Sequence, residues 1–342
     1  MSIQSSDQIS RREFLKIGGG SILASIIPSI QATESVPEQF GRVLDMNAKI
    51  YSIPSLRGHE IRSLVKDEVI PITAITLGDQ ATHANQVWYD SDGEGYVHSS
   101  AVQPVNVRLN KVPAHIPETG VLAQVSVPYT DAFLGPGKEY SFAFRLYYET
   151  THWIHGIKRG INGESWYRIL DDKKLYIYFA LASHFKIYSP EELVPISPGV
   201  PPELKRLVVS IPEQIVTAFE NDVSIFKALV STGANNLKNH SLTPSGQHRT
   251  FYKRPSRHMT TSDFTYGRYD LPGVPWVSYF TNWGIAFHGT FWHNRFGLPV
   301  SHGCVNLTPK AARWLYLWTT PIVPSGKREY TGENGTLVEV IP

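Results

Sequence analysis

The chain has one cysteine, almost no excess of either charge sign and no long apolar run. A single cysteine excludes an internal disulfide framework and any cluster held by several thiolates. The 32 Lys and Arg residues against 30 Asp and Glu leave a net charge of +2, which argues against a nucleic-acid-binding surface. No apolar run after residue 31 approaches the roughly 20 residues of a membrane helix, so we predict no transmembrane helix in the mature chain.

What remains is the composition of a globular protein. Hydrophobic residues make up 42% of the chain and charged residues 18%, a balance that argues against wholesale disorder. At roughly 150 residues per domain, the length of 342 residues predicts two or three domains.

The first 32 residues have the pattern of a targeting segment. Ser10-Arg11-Arg12-Glu13-Phe14-Leu15-Lys16 precedes a mildly apolar run from Ile17 to Ile30, which is too short and too weakly hydrophobic for a stable membrane span. The segment resembles a twin-arginine export signal, which implies a periplasmic or cell-wall protein. A frayed basic tail is the alternative. Ala32 is a candidate cleavage position, and retention as an N-terminal anchor stays open.

Two β-rich segments follow, at residues 40–108 and 119–198. In the first, Val87-Trp88-Tyr89 and Tyr96-Val97 flank a Gly/Asp turn, which predicts a hairpin. The second repeats a Trp-Tyr pair at Trp166-Tyr167 before an acidic turn and another β-rich run. We predict two small β-barrels that are related by a weak internal repeat.

The Trp-Tyr-x-Gly-Tyr-Val pattern of the first segment resembles a bacterial Src-homology-3-like (SH3-like) module, and the second segment resembles one loosely. This resemblance implies contact with cell wall or peptide. The alternative is that Trp88 and Trp166 are core residues of the barrels, since large aromatic side chains most often serve packing.

Residues 204–342 predict a third domain that is mostly β. Leu207–Ile211, Ile215–Glu220 and the segment from Val223 read as a meander of three strands, and the tail from Thr336 reads as a last strand. One helix is predicted from Pro309 to Trp318, because Thr308 is a good N-cap and proline suits the first helical position.

The chemistry is concentrated in His288-Gly289 and in Ser301-His302-Gly303-Cys304-Val305-Asn306. A cysteine nucleophile reacts as the thiolate, and a neighbouring imidazole is suited to take its proton at neutral pH. A glycine beside the nucleophile lets backbone N–H groups approach a developing oxyanion. A nearby helix N-terminus, four residues after Cys304, lowers the thiol pKa only if the side chain points at it.

At these residues the chain resembles the YkuD-type L,D-transpeptidase catalytic domain. Further matches are Gln214 in the opening hairpin, Ser231-Thr232-Gly233, Thr243-Pro244-Ser245-Gly246 and Pro275-Trp276-Val277. The resemblance covers about residues 204–342 and implies a β-sandwich with a short helix after the cysteine. It also implies that the domain needs no metal and no cofactor, and that carbapenem-type inhibitors acylate its cysteine.

The resemblance further implies a reaction. Cys304 is the nucleophile and His288 the general base and later the acid. The thiolate attacks a peptidoglycan tetrapeptide stem after its third residue and expels D-Ala. The acyl group then passes to an amine of a second stem and gives a 3→3 cross-link. Water as acceptor would give an L,D-carboxypeptidase, and a protein amine would give an anchoring enzyme.

The resemblance also implies supporting roles for neighbouring residues. Gly289 helps to orient the base, His302 tunes or packs beside the site, and the Gly303 and Cys304 amides form the oxyanion hole. Ser301 and Asn306 shape the turn by local hydrogen bonds. Trp276, Tyr279 and Asn306 are candidates for substrate contact, with core packing as the alternative for the two aromatic residues.

Three alternatives stay open. The gap between His288 and Ser301 is short for the family, and His293 inside it is a second candidate base. His288, His293, His302 and Cys304 could instead hold zinc, although no two of these histidines have the helical spacing of a metalloprotease. The third alternative is a non-catalytic wall-binding protein.

Overall fold

The computed structural model describes residues 8–9, 39–82, 85–173, 176–234, 242–260 and 269–342. Strands account for 47% of the chain and helices for 8%, which confirms the mainly β class. The predicted export signal lies outside the described residues, apart from Gln8 and Ile9. Among the described residues, no helix has both the length and the apolar character to cross a membrane.

The chain forms two compact units, one of residues 1–106 with Trp292–Asn294 and one of residues 107–291 with 295–342. The first unit has a six-stranded sheet in the order β1-β6-β7-β8-β3-β4 and a three-stranded sheet in the order β5-β2-β9. Its strands are β1 (Gln8–Ile9), β2 (Gln39–Val43), β3 (Lys49–Tyr51), β4 (Glu60–Ser63), β5 (Val69–Ile72), β6 (Ala74–Thr82), β7 (Asn85–Asp90), β8 (Tyr96–His98) and β9 (Val102–Val105).

The predicted hairpin of the first unit is confirmed. β7 and β8 pair antiparallel with Trp88 opposite His98 and Tyr89 opposite Val97. Trp88 is fully buried and its indole N–H donates to the Asp79 carbonyl at 3.0 Å. Core packing therefore accounts for this tryptophan, and the SH3-like character of the segment stays a prediction.

The second unit begins with an antiparallel sheet that we call the middle sheet, in the order β12-β11-β15-β14-β13-β10-β16. Its strands are β10 (Val121–Val125), β11 (Tyr129–Phe133), β12 (Phe142–Tyr147), β13 (Thr151–Arg159), β14 (Ser165–Leu170), β15 (Ile177–Leu181) and β16 (Phe185–Ile187). Trp166 on β14 is 2% exposed, so it is also a core residue. The barrel form predicted for 119–198 stays a prediction.

The C-terminal domain, residues 204–342, is a sandwich of two five-stranded sheets, in the orders β19-β18-β17-β26-β20 and β24-β23-β22-β21-β25. The strands are β17 (Lys205–Ser210), β18 (Ile215–Glu220), β19 (Val223–Leu229), β20 (Gly246–Arg249), β21 (Tyr252–Thr260), β22 (Asp270–Tyr279), β23 (Ala286–Gly289), β24 (Val305–Leu307), β25 (Tyr330–Thr331) and β26 (Leu337–Ile341). The predicted meander and the predicted last strand are confirmed.

Alternation of apolar side chains along the strands produces the core of this sandwich. Leu207 and Val209 on β17 are fully buried, while Val208 between them is only partly buried, as the period of two requires. They share one apolar cluster with Phe287 and Val305 from the facing sheet and with Leu315 of the helix. The two sheets and the helix thus bury one continuous core.

The predicted helix, α1 (Pro309–Trp318), is confirmed with its cap. The Thr308 hydroxyl accepts a hydrogen bond from the Ala311 amide at 3.2 Å. At the other end, two buried lysines neutralise the carbonyl groups that a helix C-terminus leaves unpaired. Lys205 donates to the Trp318 carbonyl at 3.1 Å, and Lys253 donates to the Tyr316 carbonyl at 2.5 Å.

The middle sheet and the C-terminal domain pack closely within the second unit. The Thr151 hydroxyl donates to the Pro255 carbonyl at 2.6 Å, and the Ser256 hydroxyl donates to the Thr151 carbonyl. Gly273 on β22 has φ +75°, and a Cβ at this position would lie 2.3 Å from the His152 ring. The approach of the two sheets therefore requires glycine here.

We expect Gly273→Ala to lower the free energy of unfolding by about 3 kcal/mol. About 1 kcal/mol comes from the left-handed backbone, and about 2 kcal/mol comes from the overpacking against buried His152. Urea unfolding followed by circular dichroism measures the loss. Gly163→Ala is the matched control, because Gly163 has φ +84° with nothing within 4 Å of its Cβ position. Equal losses for the two variants would contradict the tight packing at Gly273.

Candidate active site

Parallel pairing of two short strands brings the sequence-predicted residues together. β23 and β24 pair with His288 opposite Asn306 and Phe287 opposite Val305. Cys304 directly precedes β24, two residues before Asn306. Because side chains alternate along a strand, Cys304, Asn306 and His288 belong to the same face of the sheet. The pairing therefore brings the segment that carries the thiol beside the strand that carries the imidazole.

Cys304 is partly exposed, and its sulfur lies over the start of β23. Its Sγ is 3.7 Å from the Gly284 carbonyl. Burial raises the pKa of the thiol to about 11, and a backbone hydrogen bond from Ala286 offsets only part of this rise. A helix N-terminus could lower the thiol pKa, but this effect does not dominate. The thiol is therefore neutral at physiological pH.

His288 is buried, with 2% of its surface exposed. Its Nδ1 lies 3.1 Å from the Gly289 carbonyl, an acceptor, so Nδ1 carries the hydrogen and Nε2 is left as the basic nitrogen. Burial lowers the pKa of the imidazole to about 4, against the smaller opposite effect of the Gly289 hydrogen bond. The ring is therefore neutral at physiological pH and competent to accept a proton.

The turn before Cys304 is held by Ser301. Its hydroxyl donates to the Cys304 carbonyl at 2.5 Å and accepts from the Gly303 amide at 3.0 Å. Gly303 has φ +118°, a conformation that favours glycine. The Gly303 amide is thus already engaged, whereas the Cys304 amide makes no hydrogen bond within the described part of the chain. Of the two predicted oxyanion donors, Cys304 has the available N–H in this structure.

A buried hydrogen-bond chain ties distant segments to this turn. The Thr243 hydroxyl accepts from the Gly233 amide at 2.9 Å and donates to the Gly303 carbonyl at 2.8 Å. The Gln214 side chain donates to the Thr232 hydroxyl at 2.7 Å and accepts from the Thr232 amide at 2.8 Å. The segments that the sequence matched only as a motif thus support the turn that carries the nucleophile.

Two tyrosines lie beside the cysteine. Burial raises the pKa of Tyr269, and the negative charge of Cys304 adds to this rise when the thiol is ionised. Its ring also contacts the exposed His302 edge-on at 5.8 Å between centroids. Tyr279 is half-buried and stacks on Tyr252 at 5.3 Å. Burial raises its pKa to about 12, with smaller effects from nearby arginines and Cys304. Sequence reasoning named Tyr279 but missed Tyr269, since the only signal was an isolated aromatic residue.

The other candidate residues lie elsewhere or play structural roles. Trp276 is 1% exposed and packs edge-on against Tyr188 at 5.3 Å, so it is a core residue of the second unit. Asn306 is buried, and its amide and carbonyl pair with the backbone of Ser231, each at 2.9 Å. His293 is buried against Trp292 within the first unit. The described residues include no group of three or more His, Cys, Asp or Glu side chains that could hold a metal ion.

Residues 204–340 match the family model of the YkuD L,D-transpeptidase catalytic domain. No curated protein sequence matches the chain significantly. Among solved structures, a cysteine-to-serine mutant of the Enterococcus faecium L,D-transpeptidase is 18% identical, with 40% of this chain and 49% of that chain covered and a TM-score of 0.31. The chain therefore spans about half the length of that protein.

Two further solved structures are similar over longer parts of the chain. An L,D-transpeptidase from Mycobacterium smegmatis is 16% identical, with 52% of this chain and 90% of that chain covered and a TM-score of 0.33. An L,D-transpeptidase in complex with imipenem is 17% identical, with 69% of this chain and all of that chain covered (100%) and a TM-score of 0.33.

We expect Thr243→Val to lower the free energy of unfolding by about 2 kcal/mol, because the isosteric side chain leaves two buried backbone groups without their partner. Thermal unfolding measures this loss. Thr217→Val is the matched control, since the Thr217 hydroxyl makes no hydrogen bond within the described residues and its side chain is half-buried on β18. A loss no larger than that of the control would contradict the supporting role of Thr243.

The raised thiol pKa gives a pH dependence. A thiol with a pKa of about 11 ionises only as the pH rises toward that value, so the iodoacetamide alkylation rate of Cys304 should increase about tenfold per pH unit from about pH 7 to pH 10. Intact mass measures the rate, since Cys304 is the only cysteine. A free peptide of residues 301–307 should level off above an ordinary thiol pKa near ~8.5. A plateau below pH 8 in the folded protein would instead indicate a resting thiolate–imidazolium pair.

Proposed function

We propose that the C-terminal domain, whose residues 204–340 match the family model of the YkuD L,D-transpeptidase catalytic domain, is an acyltransferase with Cys304 as its nucleophile. Its donor is the tetrapeptide stem of peptidoglycan, its leaving group is D-Ala, and its acceptor is an amine of a second stem, giving a 3→3 cross-link. The observation that supports the proposal is the parallel pairing of β23 and β24, in which the segment with the one cysteine of the chain leads into the neighbour of the strand that carries a buried imidazole.

His288 acts as the base in the first step. Nε2 takes the proton of the Cys304 thiol while sulfur attacks the carbonyl carbon after the third stem residue. Because burial favours the neutral forms of both groups, a free ion pair is disfavoured before substrate arrives. Proton transfer is therefore coupled to formation of the S–C bond, and the negative charge passes from sulfur to the carbonyl oxygen.

The developing oxyanion is stabilised by the Cys304 amide, which has no competing partner among the described residues. Collapse of the tetrahedral intermediate breaks the C–N bond, and the imidazolium returns its proton to the departing D-Ala amine. This leaves a thioester on Cys304 and a neutral His288. The buried hydrogen bond from Nδ1 to the Gly289 carbonyl favours the tautomer in which Nε2 is the basic nitrogen.

The second half-reaction uses the same groups in reverse. An acceptor amine attacks the thioester, His288 removes a proton from this amine, and the S–C bond breaks to restore the thiol. Water in place of the amine gives a trimmed tripeptide, and a protein amine gives an anchored protein. The acceptor therefore decides whether the product is a cross-link, a carboxypeptidase product or a conjugate.

The place of action belongs to the same proposal. A peptidoglycan substrate fits export by the twin-arginine route to the periplasm or cell wall, which the Arg11-Arg12 pattern supports. The β segments at 40–108 and 119–198 would then contact wall material or hold the catalytic domain near it. Carbapenem-type inhibitors would acylate Cys304.

We expect Cys304→Ala to abolish both the covalent carbapenem adduct and the release of D-Ala, since no other thiol exists in the chain. His288→Gln should slow acylation by a factor of about 10²–10⁴, the usual contribution of a general base. Intact-mass analysis with a tetrapeptide stem and an amine acceptor reports the acyl-enzyme, the D-Ala released and the acceptor used. An undiminished carbapenem adduct on Cys304→Ala would disprove the assignment of the nucleophile.

His293→Gln is the matched control for the base, because His293 is buried like His288 and lies between the two motifs. Its acylation rate should stay within about threefold of the parent when its thermal unfolding is unchanged. If His293→Gln lost activity while His288→Gln kept it, the base would be His293. A folded parent protein that formed no acyl-enzyme with stem or carbapenem would support the wall-binding alternative.

A further inference from the structure

A cavity of about 300 Å³ lies within the second unit, between the middle sheet and the C-terminal domain. Its walls are mostly apolar and include Leu122, Leu193, Pro255, Trp276 and Ile322. None of its lining residues belongs to the β23–β24 pair or to the turn of Cys304. The cavity is therefore separate from the candidate active site.

Two lysines line this cavity, Lys327 with an exposed side chain and Lys253 with a buried one. Lys253 is 1% exposed, and its ammonium donates to the Tyr316 and Thr319 carbonyls at 2.5 and 2.7 Å. A lysine has three N–H donors, so one remains beyond these two bonds. No carboxylate pairs with Lys253 among the described residues, and the nearest charge that acts on it is the like charge of Lys205.

These surroundings disfavour the ammonium form of Lys253. Burial first, and then the charge of Lys205, lower the pKa of Lys253 well below its ordinary value. A negative charge placed beside it would reverse both effects. The carbonyl groups at the end of α1 supply only partial negative charge.

A second donor lines the same cavity. Trp153 on β13 is 6% exposed, and its indole Nε1 is buried without a hydrogen-bond partner within the described part of the chain. A buried N–H of this kind costs stability unless a ligand or water accepts from it. The cavity thus has mostly apolar walls, a buried indole N–H at Trp153 without a partner, and a buried amine at Lys253 that pairs with no carboxylate among the described residues.

We propose that this cavity binds an aliphatic monocarboxylate, with its carboxylate between Lys253 and Trp153 and its hydrocarbon chain against the apolar walls. A carboxylate has two acceptor oxygens and one negative charge, which matches one N–H of each residue and the missing counter-charge. At about 30 Å³ for each water-sized group, the volume accommodates about ten heavy atoms. Octanoate has this size.

Isothermal titration of the full-length protein with octanoate and with octanol tests the proposal. Octanoate should bind at one site, at least about tenfold tighter than octanol, since the alcohol has no negative charge to pair with the Lys253 ammonium. Trp153→Phe keeps the ring and removes the donor, and it should weaken octanoate binding about fivefold, as loss of one hydrogen bond does. Equal affinity for the alcohol, or no octanoate binding, overturns the proposal.

Two controls make the test specific. Trp283→Phe should leave the affinity unchanged, because Trp283 is 66% exposed and does not line the cavity. Lys253→Met should abolish the preference of the site for octanoate over octanol. Since that change also removes a helix cap, the Trp153→Phe result decides if the variant does not fold. Unchanged octanoate binding in Trp153→Phe contradicts the proposed site, and Cys304→Ala should bind octanoate like the parent.

Discussion

The parallel pairing of β23 with β24 is the constraint on which the candidate site depends. Parallel neighbours cannot be joined by a tight hairpin, so the chain must make a long crossover between them. Residues 290–304 form this crossover, and it ends in the turn that carries Cys304. The crossover is thus long enough for parallel pairing, which needs about a dozen residues or more. Although the segment between His288 and Ser301 is short for the family, β23 and β24 keep a parallel register.

Burial has opposite consequences for the support of the site and for its reactivity. The same dry surroundings that keep the Gln214 and Thr243 hydrogen bonds strong also disfavour a charged thiolate and a charged imidazolium. A neutral thiol reacts more slowly with unrelated electrophiles and oxidants than a thiolate does. Reactivity then has to be produced by the substrate, whose carbonyl oxygen receives the charge that neither side chain holds well.

Local sequence signals predicted much of the C-terminal domain. The Thr308-Pro309 cap and the meander from Leu207 depend on neighbours in the chain, and both have the predicted form in the structure. The support of the turn could not be predicted, because Thr243 and Gly303 are sixty residues apart. The raised pKa of the thiol could not be predicted either, since the main cause of the rise is burial by residues remote in sequence.

The acidic turn at Asp171-Asp172 shows the same limit at larger scale. Read locally, it is a turn between two strands of the middle sheet. In the structure Asp171 accepts from His258, and Asp172 forms ion pairs with Arg254 at 3.1 Å and Arg257 at 2.8 Å. These partners all lie on β21 of the C-terminal domain.

This ion cluster gives the middle sheet a role beyond that of an appended module. Removing the sheet would take the Asp172 carboxylate away from Arg257 and from Arg254, of which 8% is exposed, and Arg254 would keep its ion pair with Glu329 at 3.0 Å. Loss of a partner by a largely buried charge is destabilising. The same strand, β21, pairs with β22, and β22 in turn pairs with β23, the strand that carries His288. The acidic turn, two strands away from the proposed base, therefore helps to fix the sheet in which that base must keep its register.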